Sequence, residues 1–299
     1  MHPTFSSSLE RAILETLAYS DVFNYPLTLD ELHRYLTYPA TKDELLNCLT
    51  SLPSISSVSG FYFLPHRTAI VDIRRQREIA SRSAFRRAVF YGRILGSLPF
   101  VRMVAMTGSL AVLNLSKDAD MDYMLVTAPR RLWLARAFTV TFGRFMRLFG
   151  DKICINVLVS ESALEWDSHD LYAAREMCQM IPITGMDVYL CLRKANAWVE
   201  SHLPNAKSAP ISQAVARDAI SRYSLQQLFE LPFCGKLGDL LETWTMNFQI
   251  KKITRTYGAG TEAKFSTDLC QANFHNHHTM TDQSFRERLA LLADGETKP

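Results

Sequence analysis

What this chain has little of narrows its class first. Glycine and proline number only 12 each in 299 residues, which excludes a collagen-like or low-complexity chain. No apolar run reads as a membrane span. The most apolar window, 132–149, is interrupted by Arg136, Arg144 and Arg147. The opening Met1-His2-Pro3-Thr4-Phe5-Ser6 carries no apolar signal segment. The six cysteines, at 48, 154, 178, 191, 234 and 270, include no Cys-x-x-Cys pair. That spacing argues against a disulfide framework or a zinc site and predicts isolated thiols in a reducing cytoplasm. Neither charge dominates: 33 Lys and Arg face 30 Asp and Glu, for a net +3. This balance gives no argument for nucleic acid, which stays possible but unsupported as a partner. Walker A and Gly-x-Gly-x-x-Gly runs are both missing, so P-loop and Rossmann readings have no support. The 47% hydrophobic content suits an ordinary globular protein with ample core, and the length predicts a second domain.

Residues 1–68 read as a small unit. From residue 8, Ile13, Leu14, Leu17 and Ala18 recur at helical spacing. Thr28-Leu29-Asp30-Glu31 and Thr41-Lys42-Asp43-Glu44 have the form of capping boxes opening a second and a third helix. Residues 54–64 alternate around Gly60 as a β-hairpin would. Three helices and a hairpin are the layout of a winged helix-turn-helix. The third helix, however, opens with Asp43 and Glu44 opposed by Lys42 alone, where a groove-reading helix needs basic or amide side chains. A scaffold or docking role fits this unit better than duplex contact. Residues 69–98 predict a long linking helix. Its arginines (74, 75, 77, 82, 86, 87, 93) read as a solvated face or as a positive rim for a polyanion.

The richest stretch follows, in an α/β core over 99–165. A strand over Val101, Arg102, Met103, Val104, Ala105 and Met106 leads into Thr107-Gly108-Ser109. Ten residues later come Asp120-Met121-Asp122, continued by Tyr123-Met124-Leu125-Val126. Alternate residues on a strand share a face, so Asp120 and Asp122 point the same way, toward whatever the Gly-Ser turn holds. Paired carboxylates can hold Mg²⁺, and backbone amides of such a turn can hold phosphate. Pro129 ends the strand, residues 131–149 predict a helix, and residues 152–160 a third strand. On that strand Ile153, Ile155, Val157 and Val159 are expected on one face, with Cys154, Asn156 and Leu158 on the other.

These residues resemble the DNA polymerase β-like nucleotidyltransferase superfamily, whose signature is a hydrophobic residue, Gly, Gly or Ser, a gap of about ten, then Asp-hydrophobic-Asp or Glu. The order Thr107-Gly108-Ser109-Leu110-Ala111, Asp120-Met121-Asp122, Lys152-Ile153-Cys154-Ile155-Asn156 and Leu171-Tyr172-Ala173-Ala174-Arg175-Glu176 is also similar to that of bacterial proteins carrying a nucleotidyltransferase domain. The resemblance implies a mixed-sheet nucleotidyltransferase core over 99–165. With the winged-helix-like layout of the N-terminal unit, and residues 166–299 reading as a helical domain (one helix over 186–203) with a polar tail from 264, the expected chain is α/β (α+β). The resemblance further implies transfer of a nucleoside monophosphate from a nucleoside triphosphate to a hydroxyl acceptor, with pyrophosphate leaving and two Mg²⁺ ions. Asp120 and Asp122 would be the metal ligands, and Gly108 and Ser109 would hold the β and γ phosphates. Asp120, Asp122 and Asn156 form the expected catalytic set.

The family uses a third carboxylate on a neighbouring strand, and here that position is Asn156. An amide can ligate a metal through its oxygen but takes no proton at neutral pH. Three readings stay open: substrate-assisted deprotonation with two carboxylates; a loop acid, from Asp151, Glu161 or Glu165; or nucleotide binding without turnover. The last is a regulatory module acting through its N-terminal unit. Arg102, Lys117 and Arg136 are candidate phosphate neighbours, and Asp118 reads as a loop residue. Tyr172 with Arg175 and Glu176 fits an acceptor cleft, or equally a packing helix. The histidines at 275, 277 and 278 lack metal-ligand spacing and read as a surface loop. The acceptor cannot be named from these residues.

Overall fold

In a computed structural model of the protein, the described residues are 7–116, 120–206, 223–257, 262–271 and 276–293. The chain begins with helix α1 (Ser8–Asp21), strand β1 (Leu27–Thr28), helices α2 (Leu29–Tyr35) and α3 (Lys42–Ser51), and strands β2 (Ser56–Val58) and β3 (Phe61–Phe63). Both expected capping boxes form: Glu31 answers Thr28, and Glu44 answers Thr41. The three strands make an antiparallel sheet in the order β1-β3-β2. Lys42, the one base in the first turn of α3, is taken up by Asp30 at 2.5 Å.

Helix α4 (Ala69–Leu95) leads into the main sheet. Strand β4 (Val101–Met106), the single turn α5 (Gly108–Ala111), strand β5 (Met121–Thr127), helix α6 (Leu132–Arg147) and strand β6 (Ile153–Ser160) follow. Then come α7 (Leu171–Gln179), β7 (Ile181–Thr184), α8 (Met186–Ala195), α9 (Val199–His202), α10 (Tyr223–Glu230) and α11 (Gly235–Tyr257). The described elements end with β8 (Lys264–Phe265), β9 (Leu269–Gln271) and α12 (His277–Ala293). The main sheet is mixed, with six strands in the order β7-β4-β5-β6-β9-β8. Only β5 and β6 run parallel.

Alternation along β4 and β5 divides two cores. Met121, Tyr123 and Leu125 face α4, α6 and α11, whose Ala84, Ala88, Trp133 and Ile253 meet them. Met103, Ala105, Met124 and Val126 face α7 and the N-terminal helices, where Ala174, Met177, Leu17 and Leu32 close the layer. The N-terminal unit therefore shares a core with the sheet and is not tethered like a bead. Tyr25 donates to the Val112 carbonyl at 2.9 Å, and Arg34 to the Cys178 carbonyl at 3.0 Å.

Three expectations change here. The C-terminal part, expected as a helical domain with a polar tail, supplies β7 from its helical stretch and β8 and β9 from its tail to the main sheet. Ile181-Pro182-Ile183-Thr184 is short and holds a proline, which an edge strand tolerates. The expected helix over 186–203 is interrupted at Asn196, whose side chain bonds Leu164 and Trp166. The face assignment on β6 fails midway. Tyr123 pairs with Ile155, but Met124 pairs with Val157, so Asn156 is the extra residue of a β-bulge. Ile153 and Ile155 pack with the α6 layer, whereas Val157 and Val159 pack with the α7 layer.

The arginines of α4 are not one solvated face. Arg74 is buried, bonded to Glu31 at 2.8 Å and to the Pro26 carbonyl at 2.9 Å, with Tyr25 beneath its guanidinium. Arg87 pairs with Asp151 at 2.8 Å. No helix among the described residues is long and apolar enough to cross a membrane.

Candidate functional site

The site lies where β4 ends, β5 begins and α7 crosses them. Thr107 leaves β4 with its N–H bonded to the Asp122 carbonyl at 3.0 Å, which fixes the turn against β5. Gly108 then adopts φ +64°, and a Cβ there would lie 2.5 Å from Asp122 Oδ2. Both constraints require glycine. No side chain caps the first turn of α5. Its leading amides keep the donor capacity of a helix start.

Asp120 precedes β5 by one residue, and Asp122 lies on the strand opposite Cys154 of β6. The bulge turns Asn156 to the same side. The Cys154 thiol donates to Asn156 Oδ1 at 2.9 Å, and both side chains are hydrogen-bonded to the Asp122 carboxyl. Desolvation pushes Asp122 up to about 7, with the Asp120 charge adding to the rise and the two hydrogen bonds opposing it. The Cys154 thiol is pushed up to about 12 by desolvation and by the charges of Asp122 and Asp120, so it stays protonated.

Helix α7 brings a further carboxylate into the field of Asp122. Glu176 is pushed up to about 7 by desolvation and then by Asp122. Tyr172, one turn earlier on the same helix face, is raised by burial and by the charges of Glu176 and Asp122. Asp120, Asp122 and Glu176 thus come from two elements and a strand lead-in, and among the described residues no Lys or Arg pairs with them. Neighbouring negative charge adds to the rise of Asp122 and Glu176, and a bound cation reverses that. Among the described residues no three Asp, Glu, His or Cys are set at common metal-ligand positions. Mg²⁺ asks for less than that, taking one or two carboxylates and completing its shell with water and substrate phosphate. The residues present fit such an ion.

The expected loop acids do not supply the site. Asp151 is held by Arg87 and by the Tyr91 hydroxyl at 2.5 Å. Glu161 follows the far end of β6, in the field of Arg102 and Asp187. Glu165 is exposed, 3.9 Å from His169. The proposed phosphate neighbours are engaged elsewhere. Arg102 forms a two-pronged pair with Glu230 at 2.7 and 2.9 Å, and Arg136 bonds Gln249 at 2.6 Å. Lys117, Asp118 and His275 lie outside the described residues. His278 is not on a free loop: its ring stacks on Tyr172 at 4.7 Å and reaches Asp170 at 3.4 Å.

Arg175 is no cleft residue either. It is 2% exposed, held between the Tyr19 and Tyr35 rings at 4.6 and 4.4 Å. Cys154 is the residue that sequence reading did not place in the site, and Glu176 entered it only as a candidate for the acceptor cleft, with a packing helix as the equal alternative. The signal for Glu176 was its i+4 spacing from Tyr172, which any packing helix also shows. No protein-family model, no curated protein and no solved structure matches this chain.

Proposed function

We propose that the chain is a Mg²⁺-dependent nucleotidyltransferase of the polymerase β-like kind, moving a nucleoside monophosphate from a triphosphate onto a hydroxyl. The observation that carries this reading is the close approach of the left-handed Gly108 turn to Asp122, beside Asp120 and within the field of Glu176, with no Lys or Arg among the described residues paired to these carboxylates. Asp120 and Asp122 would hold the metal. Bound there, Mg²⁺ supplies charge stabilisation to the attacking and leaving oxygens of an in-line displacement. The open amides at Gly108 and Ser109 receive the phosphate oxygens. Asn156 and Cys154 orient the Asp122 carboxyl through its hydrogen bonds. Glu176 takes the acceptor's proton, a role Asn156 cannot fill, and its elevated pKa suits it to work near neutrality.

Incubation with α-labelled nucleoside triphosphates, Mg²⁺ or Mn²⁺ and candidate hydroxyl acceptors tests the reading. Label transfer with pyrophosphate release is expected, abolished by Asp120→Ala or Asp122→Ala. Glu176→Gln keeps nucleotide affinity and lowers kcat by about 10²–10⁴-fold. Nucleotide binding without pyrophosphate release under any of these conditions would favour the second reading, a binding module that acts through its N-terminal unit. The fused core joining α7 to that unit is what recommends it.

A further inference from the structure

Helix α11 is apolar on two opposite sides. Met246, Ile250 and Ile253 turn toward α6 and the sheet. Leu237, Leu240, Trp244 and Phe248 recur at steps of three, four and four, and each is more than half exposed. At 100° per residue these four fall within roughly 80° of arc, the narrow seam of a helix pair and not the broad face of a helix lying in lipid. Phe229 and Leu231, just ahead of α11, are exposed to the same degree. Trp244 and Phe248 already stack, 5.6 Å apart and 9° from parallel. This pair presents a flat apolar slab that loses little side-chain freedom on being covered.

A helix apolar on all sides is ordinarily buried on all sides. Leu237, Leu240, Trp244 and Phe248 expose on the order of 500 Å² of apolar surface, at the upper end of the ~300–600 Å² of the largest patch on a typical monomer. Covered by the same ridge of a second copy, the two bury on the order of 1,000 Å², the least a specific interface needs. Charge sets the direction of pairing. The acids of the N-terminal half are engaged within the chain: Asp239 by Arg130 and Arg131, Glu242 by the first amides of α6. Lys251, Lys252 and Arg255 stand exposed at the C-terminal half. A parallel pair would bring the two basic ends together, and an antiparallel pair holds them apart.

We infer that α11 pairs with α11 of a second copy of this chain, antiparallel about Trp244, with Leu240 of one copy against Phe248 of the other. A two-fold interface of this kind uses the same patch on both copies. Sedimentation equilibrium of the full chain over about 1–100 µM tests it, since association follows concentration. The expected mass is twice 34.0 kDa. Leu240→Glu with Trp244→Glu, and separately Phe248→Arg, should return it to 34.0 kDa with a cooperative melt that no longer depends on protein concentration, because these side chains face solvent within one chain. A wild-type chain at 34.0 kDa throughout the range would overturn the inference, as would a dimer that survives both variants. So would a monomer that pellets with vesicles of about three parts phosphatidylcholine to one part phosphatidylserine, which would make the ridge a lipid-facing surface.

Discussion

At Gly108 two constraints coincide: the backbone is left-handed, and the space a Cβ would need is filled by the Asp122 carboxylate. Gly108→Ala therefore adds about 1–2 kcal/mol of backbone strain and pushes Asp122 off its present position. The expected result is a folded protein with a modestly lowered melting temperature and nucleotide affinity reduced at least tenfold, measured by titration calorimetry. Unchanged affinity would detach the turn from the site. This glycine was readable from the sequence because a Gly-Ser turn leaving a strand has few alternatives. Asp120 and Asp122 were readable for the same local reason, a period of two along β5. Cys154 and Glu176 were not. Their roles depend on which residues β6 and α7 bring opposite Asp122, a tertiary fact that the i+4 spacing of Glu176 from Tyr172 and the shared strand face of Cys154 and Asn156 do not specify.

Among the elements, α4 shows how composition misleads. Seven arginines read as a charged face, yet Arg74 is inside, fastening α4 to Glu31 of α2 and to the turn before β1. The pair holds Glu31 below its ordinary pKa, the Arg74 bonds outweighing the desolvation that would raise it. Arg74→Met leaves Glu31 without its cation, with only the Thr28 and Tyr25 hydrogen bonds to hold its charge. A loss of about 3 kcal/mol is expected by urea unfolding, reduced from the full value because Glu31 keeps some solvent. The capping boxes of α2 and α3 were legible because each lies within four residues. The strands β7, β8 and β9 were not, since two to four residues carry no periodicity and belong to the sheet only through their partners. The third helix of the N-terminal unit keeps its acidic first turn, with Lys42 consumed by Asp30. Nothing in α3 favours duplex DNA.

For the molecule as a whole, the two raised carboxylates tie stability to pH. Asp122 and Glu176 have folded values near 7, above the ordinary carboxylate range. A raised acid favours the folded state while protonated, so this contribution is complete below about pH 4 and is lost as pH rises through 7. A cation at the site reverses the sign by favouring the ionised forms. Mg²⁺ should therefore raise the melting temperature more at pH 8 than at pH 6, with protons released on binding near pH 6.5 in two buffers of different ionisation enthalpy. Equal shifts at both pH values would argue against a metal at these residues.

The bulge on β6 has a consequence for what the fold itself requires. Ile155 already meets Tyr123, and Val157 already meets Met124, so the ladder would close without the residue between them. Asn156 is thus surplus to the architecture. Deleting it should leave a cooperative melt and the downstream packing of Val157 and Val159 intact, while Asp122 loses a hydrogen-bonding partner and nucleotide affinity falls. Amide exchange along β6 would register the difference, as a regular ladder in place of an interrupted one. An insertion that the sheet accommodates but does not use is explained by what it does at the carboxylate beside it.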